Sequence, residues 1–405
     1  MYLRDAFIVK GLRTPIGKHA GSLSNIRADD LAAFIIKALL EQYPQVDKSR
    51  IDDVILGCAN QAGEDNRNVA RMALLLSGLP YSVPGETVNR LCASGMSAVI
   101  HASNAIKLSE GELFIAGGIE NMTRAPFVLA KSPSAFSTST EIYDTSIGWR
   151  FPNPKLKELY GTDSMGQTAE NLAELYNISR YEQDEFAYSS QSKASEAARN
   201  GRLSKEIHPL EISQPKGSSF TFKDDEFIKP GTTLEVLSSL KPAFRKDGKG
   251  TVTAGNSSGI NDGACALLVA SENALKEFNL KPAARILSYA IAGVEPRIMG
   301  IGPVKATEMA LQKSHLKLDD ISVIEINEAF ASQCIACFKE LKLDHFDKRI
   351  NPNGGAIALG HPLGMSGARL VNTASIELEE KRGRFALITM CVGVGQGMAL
   401  ILERI

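Results

Sequence analysis

TVNRLCASGMSAV, residues 87–99, is the stretch from which the rest of the chain is read. Apolar residues lead into Cys92. Small residues follow (Ala93, Ser94, Gly95), and then Met96, Ala98, Val99 and Ile100 are apolar at helical spacing. The pattern predicts a strand, a sharp turn and a helix, with Cys92 at or near the helix start. Free backbone N–H groups and the positive end of the helix dipole favour an anion there, hence thiolate over thiol, and the thiolate is a nucleophile. The plain alternative is a buried structural cysteine.

On either side of this stretch, residues 1–120 alternate strand-like and helical runs. DAFIVKGL opens with a strand, and ADDLAAFIIKALLEQ reads as an amphipathic helix with Asp29 and Asp30 in its first turn. DDVILGCAN reads as a buried strand, and NRNVARMALLLSGLP as a helix closed by Gly78 and Pro80. ELFIAGGIENMT reads as a strand running into a glycine turn. The expectation is an α/β fold with a mostly parallel, covered sheet. From Met122 to Gly250 the texture changes: Pro, Ser, Lys and Asp become frequent, aromatics (Trp149 among them) are interspersed, and one clear helical region covers 163–200. So much irregular chain beside a compact domain points to a lid or binding segment rather than a spacer. TVTAGNSSGINDGACALLVAS then returns to buried-strand character.

Residues 281–405 repeat the opening pattern. ISVIEINEAFASQ parallels DDVILGCANQ, and FALITMCVGVGQG parallels ELFIAGGIENMT. Between them, SGARLVNTASIEL (366–378) matches SGMSAVIHASNAI (94–106) at five of thirteen positions. Three parallels in the same order imply two halves of one fold.

Composition bounds the function. The 405 residues suit two or three domains, with 22% charged and 44% apolar residues. Net charge is −1 without a basic block, which argues against nucleic acid or an anionic membrane as a general partner. MYLRDAFIVKGLRTPIG has no signal-peptide core and ILERI carries no peroxisomal tripeptide. The long apolar stretch 385–400, broken by Thr389, Gln396 and three glycines, reads as two buried strands joined at a glycine turn rather than a membrane span. Six scattered cysteines make no disulfide framework, so a cytoplasmic location is expected.

The second half adds three polar stretches where its buried elements end: Asn327-Glu328-Ala329-Phe330, the run from Asn353 to Pro362, and Cys391-Val392-Gly393-Val394-Gly395-Gln396-Gly397. If the halves are related, these edges face a cleft shared with Cys92. His361, in a glycine-rich turn before a helix, can take a proton from Cys92 and then stabilise negative charge as imidazolium. A surface-loop histidine is the plain reading of His361 alone. Cys391 ends an apolar strand and opens a turn whose glycines expose N–H groups suited to an oxyanion hole, and a second cysteine facing the first suits general acid/base work. A core cysteine before a tight turn is its alternative. GGAIALG and GVGQG lack the full dinucleotide-loop spacing, and Cys334-x-x-Cys337 lies in a helical run with no second pair, so no metal site is expected.

NRLCASG, NEAF, GGAIALGHP and CVGVGQG, in this order and spacing, resemble the motifs of the thiolases over essentially the whole chain. The resemblance implies two α/β halves stacked in an αβαβα arrangement. These are residues 1–121, completed by 260–280, and residues 281–405, with an inserted loop domain at 122–259 that binds coenzyme A. It implies homodimers, often paired into tetramers, acyl-CoA substrates, coenzyme A as co-substrate and no tightly bound cofactor. By position, Cys92 is the acylated nucleophile, His361 activates it, and Cys391 is the acid/base. Asn327 holds a water that forms one oxyanion hole with His361; the N–H groups of Cys92 and Gly393 form the other. Met165, Phe244 and Ser258 match coenzyme contacts, and Ser164 stands where some acetoacetyl-specific relatives have His. GCANQAGEDNRNVARMALLLSGLP, NMTRAPFV and TSIGWRFPNP resemble most closely the members that cleave 3-oxoadipyl-CoA to succinyl-CoA and acetyl-CoA in aromatic-compound breakdown; a general acetoacetyl-CoA or 3-oxoacyl-CoA thiolase is the alternative. A substrate ending in a carboxylate wants a cation, for which Arg124 is the first candidate and Arg90 the second.

Overall fold

Residues 4–213 and 217–405 are described by the computed structural model; residues 1–3 of the N-terminal stretch and 214–216 within SQPKG lie outside the described residues. One mixed sheet runs through the molecule. The first half contributes Gly85–Val88, Asp53–Gly57, Leu113–Asn121, Asn261–Ser271 and Ala6–Arg13, in that order. The second continues with Ala284–Gly293, Gln396–Arg404, Phe385–Val392 and Ile321–Ile326. The halves join at a seam of two residue pairs, Phe7 with Arg285 and Ile8 with Ala284. Outward from that seam each half pairs antiparallel, antiparallel, then parallel. The internal repeat is therefore a repeat of topology.

The expected parallel majority does not hold: along this path five neighbouring pairs are antiparallel and three are parallel. Parallel neighbours need a helical crossover, and the strands next to the seam arrive otherwise. Gln396–Arg404 returns through the turn after Val392, and Asn261–Ser271 returns after the long polar segment. The glycine turn expected in ELFIAGGIENMT is not a turn either. The strand runs unbroken from Leu113 to Asn121, and its glycines admit close neighbours. A Cβ on Gly117 would stand 2.1 Å from the Cys265 carbonyl oxygen, and one on Gly118 would stand 1.9 Å from that of Gly364.

Two helices, Ser94–Lys107 and Leu363–Glu380, pack against one another between the sheet halves. Their apolar residues share one core with Ile8, Ala116 and Leu267 of the first half and Ile286, Ala386 and Met398 of the second. Ala28–Glu41 and Val69–Leu76 cover the outer face of the first half, and Gly302–Ser314 and Ala331–Leu341 that of the second. This is the αβαβα layering.

The polar segment carries the hairpins Phe127–Leu129 with Ile142–Asp144 and Leu210–Ser213 with Ser219–Phe222. The helices Met165–Leu175 and Arg180–Arg199 fill the region expected to be helical. A buried cation ties this segment to the sheet. Arg13, on the first strand, donates to Glu206 at 2.9 Å and to both oxygens of Asp225 at 2.7 and 2.9 Å, and all three side chains are fully buried.

Gly118→Ala tests this packing, because the new methyl would meet backbone that cannot rotate away. The expected cost is about 1–3 kcal/mol, read as a lowered midpoint in thermal or urea unfolding. Gly231→Ala, where nothing lies within 4 Å, should leave the midpoint essentially unchanged.

Candidate active site

The turn before the first buried helix is built by its own side chains. Leu91 adopts φ +46°, a conformation uncommon outside glycine. Asn89 Oδ1 accepts from Leu91 N–H at 2.9 Å, and Ser94 Oγ accepts from Arg90 N–H at 2.9 Å while donating to the Leu91 carbonyl at 2.6 Å. Cys92 follows, two residues before Ser94 opens the helix, and keeps partial exposure.

Burial pushes the Cys92 thiol up to about 11. The backbone N–H groups of Gly393 and of Cys92 itself pull it back, because both hydrogen-bond to its sulfur; the Glu120 carboxylate adds a smaller upward push. Desolvation outweighs the helix-start effect, so the resting group is a thiol and not the thiolate expected from sequence. Cys391 is buried, and its thiol is raised well above the ordinary range by burial and by the neighbouring Cys92. Gly393 lies in the turn between the last two strands, where a Cβ would sit 3.1 Å from Leu91 and 3.7 Å from the Met165 sulfur.

His361 precedes the second buried helix as Cys92 precedes the first. The chain enters through Gly360 at φ +107°, where a Cβ would meet the Asn261 side chain at 2.5 Å. Asn261 Oδ1 accepts from His361 N–H at 3.0 Å. His361 is 5% exposed, so the surface-loop reading fails. Burial, with a smaller push from the Arg369 cation, lowers its imidazole to about 3, so it is neutral. Its tautomer follows from counting protons. The single hydroxyl proton of Ser366 goes to the Pro362 carbonyl at 2.7 Å, so Ser366 Oγ accepts from His361 Nδ1 at 2.6 Å. Nε2 is left with its lone pair, which accepts from Asn327 Nδ2 at 3.3 Å. The buried Asn327 Oδ1 has no hydrogen-bond partner among the described residues.

The remaining expected residues divide. Cys391, Ala329 and Phe330 form a small apolar cluster against which Met165 packs. The Phe244 ring meets Phe330 edge to face at 6.1 Å, and Ser258 N–H donates to the Ala329 carbonyl at 3.0 Å. Ser164 caps the helix that Met165 begins. Arg90 donates to Ser97 Oγ at 3.2 Å and Gln396 Oε1 at 2.9 Å, fastening the Cys92 turn to the second half. Arg124 is not free: its guanidinium closes on both oxygens of Glu64 and on the Ser24 carbonyl. A carboxylate distant in sequence already occupies the fork that the sequence reading offered to a substrate.

Sequence reasoning missed the residues that hold the motifs. Glu328, buried, accepts from Ser190, Asn351 and the Ile357 N–H, which orders the glycine-rich run before His361. Glu120, also buried, accepts from the N–H groups of Ala59, Asn60 and Gly364. A lone acid ending an apolar strand was the available signal for both. Glu120 lies with Asp65 and Cys58 in the one group of potential metal ligands among the described residues. Backbone N–H groups already fill the carboxylate oxygens there, a setting hostile to a cation. Cys334 and Cys337 are free, buried and bonded to the Asn327 and Gly300 carbonyls, in line with two cysteines on a buried helix face.

Residues 6–273 match the family described as "Thiolase, N-terminal domain", and residues 280–404 match "Thiolase, C-terminal domain". The 3-oxoadipyl-CoA/3-oxo-5,6-dehydrosuberyl-CoA thiolase of Escherichia coli is 56% identical over 403 residues, covering 100% of both chains. The beta-ketoadipyl-CoA thiolase of Pseudomonas aeruginosa is 58% identical over 402 residues, covering 99% of this chain and 100% of its own. The crystal structure of the Bacillus anthracis acetyl-CoA acetyltransferase superposes with a TM-score of 0.92 at 39% identity, covering 100% of both.

With its thiol raised to about 11, only a minor fraction of Cys92 is thiolate at pH 7. Alkylation by iodoacetamide, followed at Cys92 by peptide mass, should therefore accelerate about tenfold per pH unit from 7 to 10. A plateau below pH 9 would contradict the resting-thiol assignment.

Proposed function

The chain belongs to the thiolase family, and on that premise we propose that it cleaves 3-oxoadipyl-CoA with coenzyme A into succinyl-CoA and acetyl-CoA, in the breakdown of aromatic compounds. The observation that carries the chemistry is the convergence of the Gly393 and Cys92 N–H groups on the Cys92 sulfur, with Cys391 beside it. The choice of substrate rests on the end-to-end similarity to relatives named for it.

Cys92 attacks the ketone carbon of the substrate while the lone pair of His361 Nε2, turned from the Asn327 amide to the thiol, takes its proton. Both groups are neutral at rest, so charge appears only as the sulfur–carbon bond forms. The imidazolium and Asn327, through a water, stabilise the oxygen of one thioester; the Cys92 and Gly393 N–H groups stabilise the other. The C2–C3 bond breaks, acetyl-CoA departs as an enolate, and Cys391 protonates it. The succinyl group stays on Cys92. Coenzyme A then gives its proton to Cys391 and attacks the succinyl thioester, which regenerates the Cys92 thiol and releases succinyl-CoA. The chemistry uses coenzyme A as co-substrate and no tightly bound cofactor. In this reading residues 122–259 form the coenzyme-binding loop domain, with Met165, Phe244 and Ser258 along the coenzyme. The halves are 1–121 with 260–280, and 281–405. The working assembly is a homodimer or homotetramer in the cytoplasm.

Coenzyme-A-dependent thiolysis of 3-oxoadipyl-CoA and of acetoacetyl-CoA tests the proposal. The native protein should prefer the dicarboxylic substrate about tenfold or more in kcat/KM. Cys92→Ser should lose about 10³-fold or more on both. Activity confined to acetoacetyl-CoA would move the protein to acetyl-CoA metabolism.

A further inference from the structure

A cleft opens beside the reactive turn. Val394, next to Gly393, and Met165, which packs near Cys391, form one wall. Trp149, Tyr160, Pro296 and Arg297 form the far side. Arg297 is the only cation along it among the described residues, and its side chain is half exposed. One of its N–H groups is committed: Nε donates to Asp163 Oδ2 at 3.0 Å. Asp163 Oδ2 also accepts from Asn171 Nδ2 at 3.0 Å, and the Asp163 carbonyl accepts from the Trp149 indole at 3.3 Å. Asn171 Nδ2 donates in addition to the Arg297 carbonyl at 2.9 Å. Asp163 and Asn171 thus fix the root of the guanidinium and leave the two Nη groups without a protein partner.

We propose that Arg297 is the specificity residue for the acyl chain, its two Nη groups receiving the terminal carboxylate of a dicarboxylic 3-oxoacyl-CoA. This rests on the substrate reading above and deepens it. Neither earlier candidate can take that place. Arg124 spends its fork on Glu64, and Arg90 is tied to Ser97 and Gln396. Arg297 differs in lining a cleft with Met165, which packs against the Cys391 cluster, and with Val394, the neighbour of Gly393, so an acyl chain held at Cys92 would meet it by passing those two side chains. A planar fork held at Nε presents two parallel donors to a carboxylate, which gives direction as well as charge. Met165, Val394 and Pro296 offer apolar surface for the methylenes between ketone and carboxylate, and the cleft, about 10 Å³ as it stands, must widen to admit them.

The test compares kcat/KM for 3-oxoadipyl-CoA and acetoacetyl-CoA in the native enzyme, Arg297→Ala and Arg297→Lys. The native selectivity is read first, because its absence would overturn the substrate reading and leave Arg297 no carboxylate to receive. Given that selectivity, Arg297→Ala should lower the ratio of the two kcat/KM values about 10- to 100-fold, the worth of one charge-assisted pair. Most of the change should fall on KM for the dicarboxylic substrate. Arg297→Lys, which keeps the charge without the fork, should fall between. An unchanged ratio in Arg297→Ala, or equal losses on both substrates, would overturn the assignment while leaving the substrate reading intact.

Discussion

Gly95 and Gly364 lie where the first turns of the two buried helices cross, and a Cβ on Gly95 would stand 2.5 Å from the Gly364 carbonyl oxygen. A Cβ on Gly367 would stand 2.5 Å from Met96 N, and one on Gly57 would stand 2.2 Å from Gly95 N. Backbone meets backbone at this crossing, with no side chain between. The reactive centre depends on that approach. Cys92 stands two residues before one helix and His361 two before the other, so bringing the helix starts together brings the two groups to one place. Glu120 reinforces the crossing from the sheet, accepting from the Gly364 N–H at 2.8 Å while holding Ala59 and Asn60. The sheet halves close over the pair, and the strand ends that carry Asn327 and Cys391 arrive from the second half.

Burial sets the electrostatics. It raises both thiols and lowers the imidazole, which leaves a centre that is uncharged at rest. A neutral nucleophile next to a neutral base looks weak, yet the same low dielectric strengthens every fixed donor aimed at charge that develops later. In the proposed mechanism the N–H pair at Cys92 is such a donor set, oriented before substrate arrives, and His361 Nε2 becomes a donor only after it has taken a proton. Ser366 keeps the imidazole lone pair on the side where Asn327 lies.

The motifs of the proposed site were legible as motifs because each sits in a run of small residues between apolar segments, a pattern a single sequence displays. The duplication was legible for the same reason: Ser94, first residue of one helix, and Ser366, in the first turn of the other, each donate a hydroxyl to a carbonyl three or four residues back. Strand direction was not legible. DDVILG and FALITMCV read alike as buried strands, and only the route of the connecting chain decides what lies parallel to what. Arg124 was misjudged, and Arg297 passed over, for a related reason. A guanidinium's availability depends on partners such as Glu64 or Asp163, and only folding reveals which of its donors they take. The protonation of Cys92 was misjudged because its helix start is visible in sequence and the desolvation around its sulfur is not.

The most direct test of the central claim is to mix the native protein with 3-oxoadipyl-CoA in the absence of free coenzyme A, quench in acid, and locate the acyl adduct by peptide mass. The account predicts one succinyl group on the peptide carrying Cys92, discharged by added coenzyme A. An acetyl group there, an adduct on Cys391, or no adduct while the substrate is still turned over would contradict it.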